Sequence, residues 1–268
     1  MKEGTKIGLV PGTGGGECAF KECIDKGCVV FGLQRVPSVA RLIEYGKTVC
    51  ATGYRDTLCV ASLPHRYTAE CCELISSIFD MPCTQLPNYL NLTLTPSNPI
   101  LHTTRLRIIF KDYQEGKEYE YVPLFYEEWD DESSELLIRC DNEVQQICKA
   151  LKEFDLTYVK SLLIHYESEN AEQLTQKISS IKGFKGLKTP TIFVEGKYQP
   201  DLHSRYFTAD FSYGMVILKQ IADFVGVDIP YINQTLSWYK AVAKEKEEFV
   251  YENFGIYNLN DFRDFYSK

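Results

Sequence analysis

Two short segments carry side chains that could move a proton and hold an anion. Ser97-Asn98-Pro99-Ile100-Leu101-His102 sets a carboxamide and an imidazole four residues apart. Proline suits the first turn of a helix, and Ser97 or Asn98 can cap it. Four residues apart on a helix means one face, about 6 Å along the axis at ~1.5 Å per residue. Such a pair could hydrogen-bond a substrate and transfer a proton near neutral pH. The same letters also describe a capped helix carrying a packed core histidine. The second segment, Ser204-Arg205-Tyr206-Phe207-Thr208-Ala209-Asp210-Phe211-Ser212-Tyr213-Gly214, joins a guanidinium to a carboxylate. Arg205 offers a planar, permanently charged fork suited to a substrate carboxylate. Asp210 predicts the N-cap of a helix running through Met215, Val216, Ile217 and Leu218, with residues 205–208 as an approach segment that is not part of that helix. Its carboxylate could instead orient a histidine and favour the charged imidazole. An Arg205 ion pair and a capping Asp210 form the structural alternative, and for both segments the structural alternative is the favoured one on these letters alone.

A third segment, Gly12-Thr13-Gly14-Gly15-Gly16-Glu17, follows a strand-like run. It departs from the dinucleotide fingerprint G-x-G-x-x-G. Glu17 stands at the third glycine, and Gln34 and Arg35 stand where a ribose-binding acid is needed. A loose strand-to-helix turn at the carboxyl edge of a sheet fits better, an edge that can still touch a nucleotide in a Rossmann sheet. His65, His165 and His203 have no cysteine or carboxylate at metal-ligand spacing. The chain has no Gly-x-Ser-x-Gly elbow, no His-Glu-x-x-His and no phosphate loop ending in Lys-Ser/Thr. Hydrolase, metalloprotease and nucleotide-kinase chemistry are therefore unsupported.

The elements that must position these groups change character along the chain. Residues 6–10, 29–33, 48–52 and 57–63 read as strands, the last two joined by a polar turn, and 17–26 and 68–79 as helices, with Thr68 able to cap the second. This mixture is α/β. Beyond residue 98 long helical patterns dominate, over 142–154, 156–167, 170–181, 210–225 and 231–251, and strand signals nearly vanish. Pro87, Pro96 and Asn/Thr-rich sequence mark a domain boundary near 90–97. The acidic run 127–132 reads as a solvated loop or a helix start. A sheet opening on residues 7–10 is short of neighbours, so the α/β part is expected to be incomplete at its N-terminal side.

The 268 residues are 44% hydrophobic and 25% charged, an ordinary composition for a folded domain or two. With 29 basic and 37 acidic residues the net charge is −8, and no Lys/Arg-rich run occurs, so nucleic acid is not an expected partner. No stretch is long and apolar enough to span a bilayer and the start is not a secretory signal, which makes no membrane and a cytoplasmic location the expectation. The ten cysteines include no Cys-x-x-Cys pair and read as reduced, mostly buried thiols.

Taken in order, four segments resemble the opine dehydrogenase family, the octopine and nopaline dehydrogenases. They are Pro11-Gly12-Thr13-Gly14-Gly15, Val36-Pro37-Ser38-Val39-Ala40-Arg41, Asn98-Pro99-Ile100-Leu101-His102, and Arg205-Tyr206-Phe207-Thr208-Ala209-Asp210 running into Gly214. The resemblance spans roughly residues 4–245, and the Asn-Pro-x-x-His and Arg-Tyr-x-Thr-x-Asp segments are its specific part. It implies that an amino acid and a 2-oxo acid are joined as an imine, which a nicotinamide hydride reduces. His102 is then the general acid/base, Asp210 its charge partner, Arg205 the holder of the oxo-acid carboxylate, and Asn98 a neighbour of the reacting centre. Gly12 and Thr13 are the residues expected at the cofactor, NAD or NADP.

Departures from the family pattern fall at Gln34 to Arg41, the region expected to face the amino-acid substrate, and at Ala209 to Ser212. The family's first ~100 residues, with the glycine fingerprint and ribose-binding acid, have no counterpart here. The implied architecture is α/β followed by all-α. A truncated Rossmann-type sheet over 1–95 precedes an all-helical substrate domain of the 6-phosphogluconate dehydrogenase-like type over 96–268, with His102 and Asp210 meeting across the groove between them. Two alternatives stay open: a non-catalytic remnant or helical binding module, and a half-enzyme completed by a separate nucleotide-binding chain. For this chain alone, dinucleotide binding is expected to be very weak or absent. Oligomeric state and the identity of both substrates are left open.

Overall fold

The computed structural model describes residues 2–243 and 247–268, and these fall into two compact units. The first takes the described residues up to 95 together with 153–159 and 251–268; the second takes those of 96–152 and 160–250. The chain thus passes out of the first unit at residue 96 and returns to it twice. Sequence reading placed both returning segments with the helices, because short segments pinned by long-range contacts carry no periodic signal.

Among the described residues of the first unit six strands form: β1 (Lys6–Leu9), β2 (Val29–Leu33), β3 (Val39–Glu44), β4 (Thr48–Thr52), β5 (Leu58–Leu63) and β6 (Cys83–Gln85). Four of them make one sheet in the order β1-β2-β5-β6, in which β1–β2 and β5–β6 are parallel and β2–β5 antiparallel. β2 reads Val-Val-Phe-Gly-Leu with every residue buried, the continuous apolar run of a strand covered on both faces. Helix α1 (Thr68–Phe79) lays Cys71, Cys72 and Ile75 against Phe31, Leu33, Leu58 and Val60. Thr68 does not cap α1; its hydroxyl accepts from the Ser62 amide at 3.2 Å and bonds the Ser62 hydroxyl at 3.0 Å.

The expected strands over 48–52 and 57–63 form with a short polar segment between them, but they do not pair with each other. β4 turns back onto β3, with Val39 opposite Thr52, while β5 pairs with β2. Leu42, Ile43 and Val49 on this ribbon are exposed, so no alternation against a core announces β3 in the sequence. The glycine-rich turn is drawn tightly onto the sheet: a Cβ on Gly12 would stand 2.8 Å from the α-carbon of Gly32. The last helix, Leu259–Tyr266, buries Phe262, Phe265 and Tyr266 in this unit. There the Tyr266 hydroxyl donates to Glu17 Oε1 at 2.7 Å and Thr93 Oγ1 donates to the same atom at 2.8 Å. Burial pushes the Glu17 carboxyl above its usual range despite these bonds.

The second unit is built on α2 (Asn98–Ile109), α3 (Asp131–Ala150), α4 (Ala171–Ser180), α5 (Val216–Val225) and α6 (Pro230–Val242). Helix α3 starts eleven residues before the expected 142 because Asp130 caps it, accepting from the Ser133 amide at 2.8 Å. The acidic run is therefore a helix start, and Trp129 within it is buried. The pattern over 156–167 yields only the turn Leu162–His165, capped by Ser161. Helix α4 matches its pattern, with Asn170 as cap. Residues 210–225 form α5 preceded by a π-turn, Phe211–Met215, and α5 closes at Gly226 with φ +70°. The pattern over 231–251 gives α6; its residues 244–246 lie outside the described residues. The unit is not all-helical, since β7 (Thr191–Val194) and β8 (Lys197–Pro200) pair antiparallel around Glu195 and Gly196. Both turn residues have positive φ, +50° and +87°, as a two-residue hairpin turn demands.

Candidate active site

The site begins on α2. Pro99 opens the helix, but neither Ser97 nor Asn98 caps it with its side chain. Asn98 is exposed at the first turn, and His102, one turn further, is 2% exposed. The π-turn meets α2 at its N-terminal end. A Cβ on Gly214 would stand 2.7 Å from the Pro99 Cβ, so only glycine admits this approach. The Met215 amide donates five residues back to the Asp210 carbonyl at 2.9 Å, the bond that widens the helical turn. Asp210 is consequently not a cap. It makes no side-chain cap bond, and its Oδ2 lies 2.7 Å from Nδ1 of His102.

The second imidazole nitrogen is also engaged: Nε2 lies 2.6 Å from the Tyr126 hydroxyl. Tyr206 covers the ring at a centroid distance of 4.2 Å, and Phe125 meets it edge-on at 5.4 Å. Asp210 keeps 16% of its side chain exposed, so the pair has a wet end at the carboxylate and a dry end at the ring. A carboxylate on Nδ1 fixes the tautomer and the ring orientation, which leaves Nε2 as the nitrogen through which a proton can pass.

A buried cation holds the segment that presents Tyr126. Arg105, one turn beyond His102 on α2, is fully buried. Its Nε donates to the Phe125 carbonyl at 3.1 Å and its Nη2 to the Glu128 carbonyl at 2.5 Å. Its Nη1 reaches Asp130 Oδ2 at 2.5 Å and Ser133 Oγ at 3.0 Å. Burial lowers the Arg105 pKa from its ordinary value against the pull of Asp130. Burial opposes ionisation of Asp130 as well, yet the bonds from Ser133 and the Arg105 charge hold its carboxyl below the usual value. One guanidinium thus ties the cap of α3 and the loop carrying Phe125 and Tyr126 to the histidine helix.

Arg205 lies in a one-turn helix of its own, Arg205–Thr208, which precedes the π-turn and is not part of the helix that follows. It is exposed, with its guanidinium 5.7 Å from the centre of the Tyr206 ring, and no carboxylate among the described residues pairs with it. The order Arg205, Tyr206, His102 therefore sets a solvent-facing cation one aromatic ring away from the imidazole. Gly12 and Thr13 belong to the first unit. The Gly12 amide donates to the Leu33 carbonyl at 2.8 Å and its α-carbon faces Gly32, which holds this turn against the sheet. Segment 36–41, expected at the amino-acid substrate, contributes Val36, Pro37, Ser38 and Ala40 to a cavity of about 470 Å³ in the first unit. Among the described residues no group of three His, Cys, Asp or Glu is arranged to hold a metal. Sequence reasoning missed Tyr126, which lies in no recognisable spacing with His102, and Arg105, which stands three residues beyond it on the same helix. Tyr206 was inside a quoted motif without a role.

Comparison with known proteins follows the same lines. The family described as NAD/NADP octopine/nopaline dehydrogenase, alpha-helical domain, matches residues 85–243. Octopine dehydrogenase of Pecten maximus is 27% identical over 259 residues, covering 90% of this chain and 62% of that protein. Tauropine dehydrogenase of Arabella iricolor is 26% identical over 265 residues, covering 91% and 66%. The chain thus spans less than two thirds of the length of these relatives. The solved structure of octopine dehydrogenase with NADH and L-arginine superposes with a TM-score of 0.79 at 22% identity, over 96% of this chain and 70% of that one. A yersinopine dehydrogenase structure superposes with a TM-score of 0.57 at 10% identity, covering 88% of this chain and 63% of that one. These two likenesses show a shared fold, an α/β unit with a helical one. With the family match covering more than half of its residues, the chain belongs to the octopine/nopaline dehydrogenase family.

Proposed function

We propose that this protein acts as an opine-type oxidoreductase of the cytoplasm, joining the amine of an amino acid to a 2-oxo acid and reducing the resulting imine with NADH or NADPH. The observation that carries this reading is the buried imidazole of His102 bonded at 2.7 Å to Asp210. Similarity to an octopine dehydrogenase whose structures hold NADH with L-arginine or with pyruvate supports the substrate classes and the cofactor.

Imine formation needs a base to free the amine and an acid to protonate the departing hydroxyl. One imidazole serves both in turn, and Asp210 keeps it in a single tautomer throughout. Both substrates bear carboxylates, and Arg205 supplies an exposed fork to seat that of the 2-oxo acid. Asn98, one helical turn before His102, offers a carboxamide to the carbonyl oxygen or the nascent imine. The hydride is the dinucleotide's contribution, and Gly12 and Thr13 are the residues this reading assigns to its side of the site. The test is spectrophotometric: NADH or NADPH is consumed only when a 2-oxo acid and an amino acid are present together. Equal consumption with the oxo acid alone would mark a simple hydroxy-acid dehydrogenase and overturn the condensation.

A further inference from the structure

The imidazole of His102 cannot meet a substrate as it stands. Nδ1 is occupied by Asp210 and Nε2 by Tyr126, and Tyr206 covers one face, so neither ring nitrogen is open to a substrate. Asp210 is an acceptor that orients the ring, so a proton must enter and leave by Nε2. The group standing on Nε2 is a phenol, which can accept one proton and donate another in the same motion.

We propose that the Tyr126 hydroxyl is the proton outlet of His102, a catalytic relay between Nε2 and the substrate; this rests on the acid/base reading of His102 given above. In the acid direction the Nε2–H bond breaks and a new O–H bond forms on Tyr126. The phenol's own O–H breaks at the same time and its proton goes to the substrate oxygen or nitrogen. Tyr126 is unchanged, and the imidazolium becomes imidazole in its Nδ1–H form. In the base direction every transfer reverses.

The surroundings of Tyr126 suit this task. Its ring stacks on Phe184 at 4.3 Å and parallel to Trp129 at 6.3 Å, with 12° between the latter planes, so the hydroxyl is aimed by aromatic packing. Arg105 holds the carbonyls of Phe125 and Glu128 on either side of it along the chain. At 2.6 Å from Nε2 the hydroxyl is within direct proton-transfer reach of the ring.

Tyr126→Phe keeps the ring and its stacking while removing the oxygen. The expected result is a fall of kcat by about 10- to 100-fold with KM for both substrates within about twofold. Nitrogen-15 spectra of the His102 ring, taken without substrate, are expected to show the Nε2 resonance moved and the Nδ1 resonance in place. A kcat at or above the wild-type value would overturn the relay and make Tyr126 a lid that the substrate displaces. An unmoved Nε2 resonance would show that the bond is absent in solution and also overturn it. His102→Gln is measured beside it. If that variant collapses while Tyr126→Phe does not, the relay falls and the acid/base reading stands. If neither variant loses turnover, the acid/base reading itself falls.

Discussion

At the scale of single residues, chemistry here depends on which groups are buried and which are left at the surface. Arg205 is exposed, with its guanidinium 5.7 Å from the centre of the Tyr206 ring, so replacing it should leave the fold intact and remove only an anion contact. Arg205→Ala is expected to raise KM for the 2-oxo acid about 10- to 100-fold, the worth of a charge-assisted hydrogen bond, with little change in kcat or melting temperature. An unchanged KM would reassign the residue to structure. Asp141 is the opposite case. Burial drives its carboxyl up to about 6, although the Leu162 amide donates to it at 2.6 Å. A carboxyl whose folded pKa lies above its unfolded value favours the fold most at acid pH and loses that contribution as pH rises through about 6. Asp141→Asn keeps an acceptor for Leu162 and removes the charge. It should be more stable than the wild type above pH ~7, by up to about 3 kcal/mol, with the gain vanishing towards pH ~4. Denaturant melts at several pH values read this directly, and a loss of stability at neutral pH would contradict it.

At the scale of elements, the π-turn Phe211–Met215 is what converts a plausible helix cap into a histidine partner. Asp210 has the residue type of an N-cap, and a regular helix from 210 would spend it on its own backbone. The wider turn and the glycine contact with Pro99 aim it at α2 instead. Gly214→Ala puts a methyl 2.7 Å from the Pro99 Cβ, which must push the turn away from α2. Turnover is expected to fall about tenfold or more, because small misplacements of a reacting group are costly, while the protein still folds. Full activity in this variant would show that the close approach is not needed. The sequence disclosed less at this scale than at the residue scale. His102 and Asp210 were legible because each sits in a short motif, although 108 residues separate them. Tyr126 was not, since its loop has no period and is positioned by Arg105 from another helix. The hairpin β7–β8 was equally hidden, its strands being four residues each.

At the scale of the molecule, division into an α/β part and a helical part was legible from the change of texture near residue 96. The return of residues 251–268 to the first unit was not, because a helix of eight residues fixes its address only through tertiary contacts. Phe262, Phe265 and Tyr266 are buried there, and Glu17 takes one of its two hydrogen bonds from Tyr266. Ending the chain before Tyr251 should therefore unfold the first unit well below the wild-type melting temperature, read by calorimetry or by hydrogen exchange in β2 and β5. Unaltered exchange there would contradict the placement. The central claim is that His102 and Asp210 work as one acid/base unit, and a double-mutant cycle on kcat tests it most directly. His102→Gln and Asp210→Asn are each expected to lower kcat by about 10²-fold or more, and the double variant to be little worse than His102→Gln alone. Losses that multiply, or an Asp210→Asn enzyme turning over at the wild-type rate, would show that the two residues do not act together.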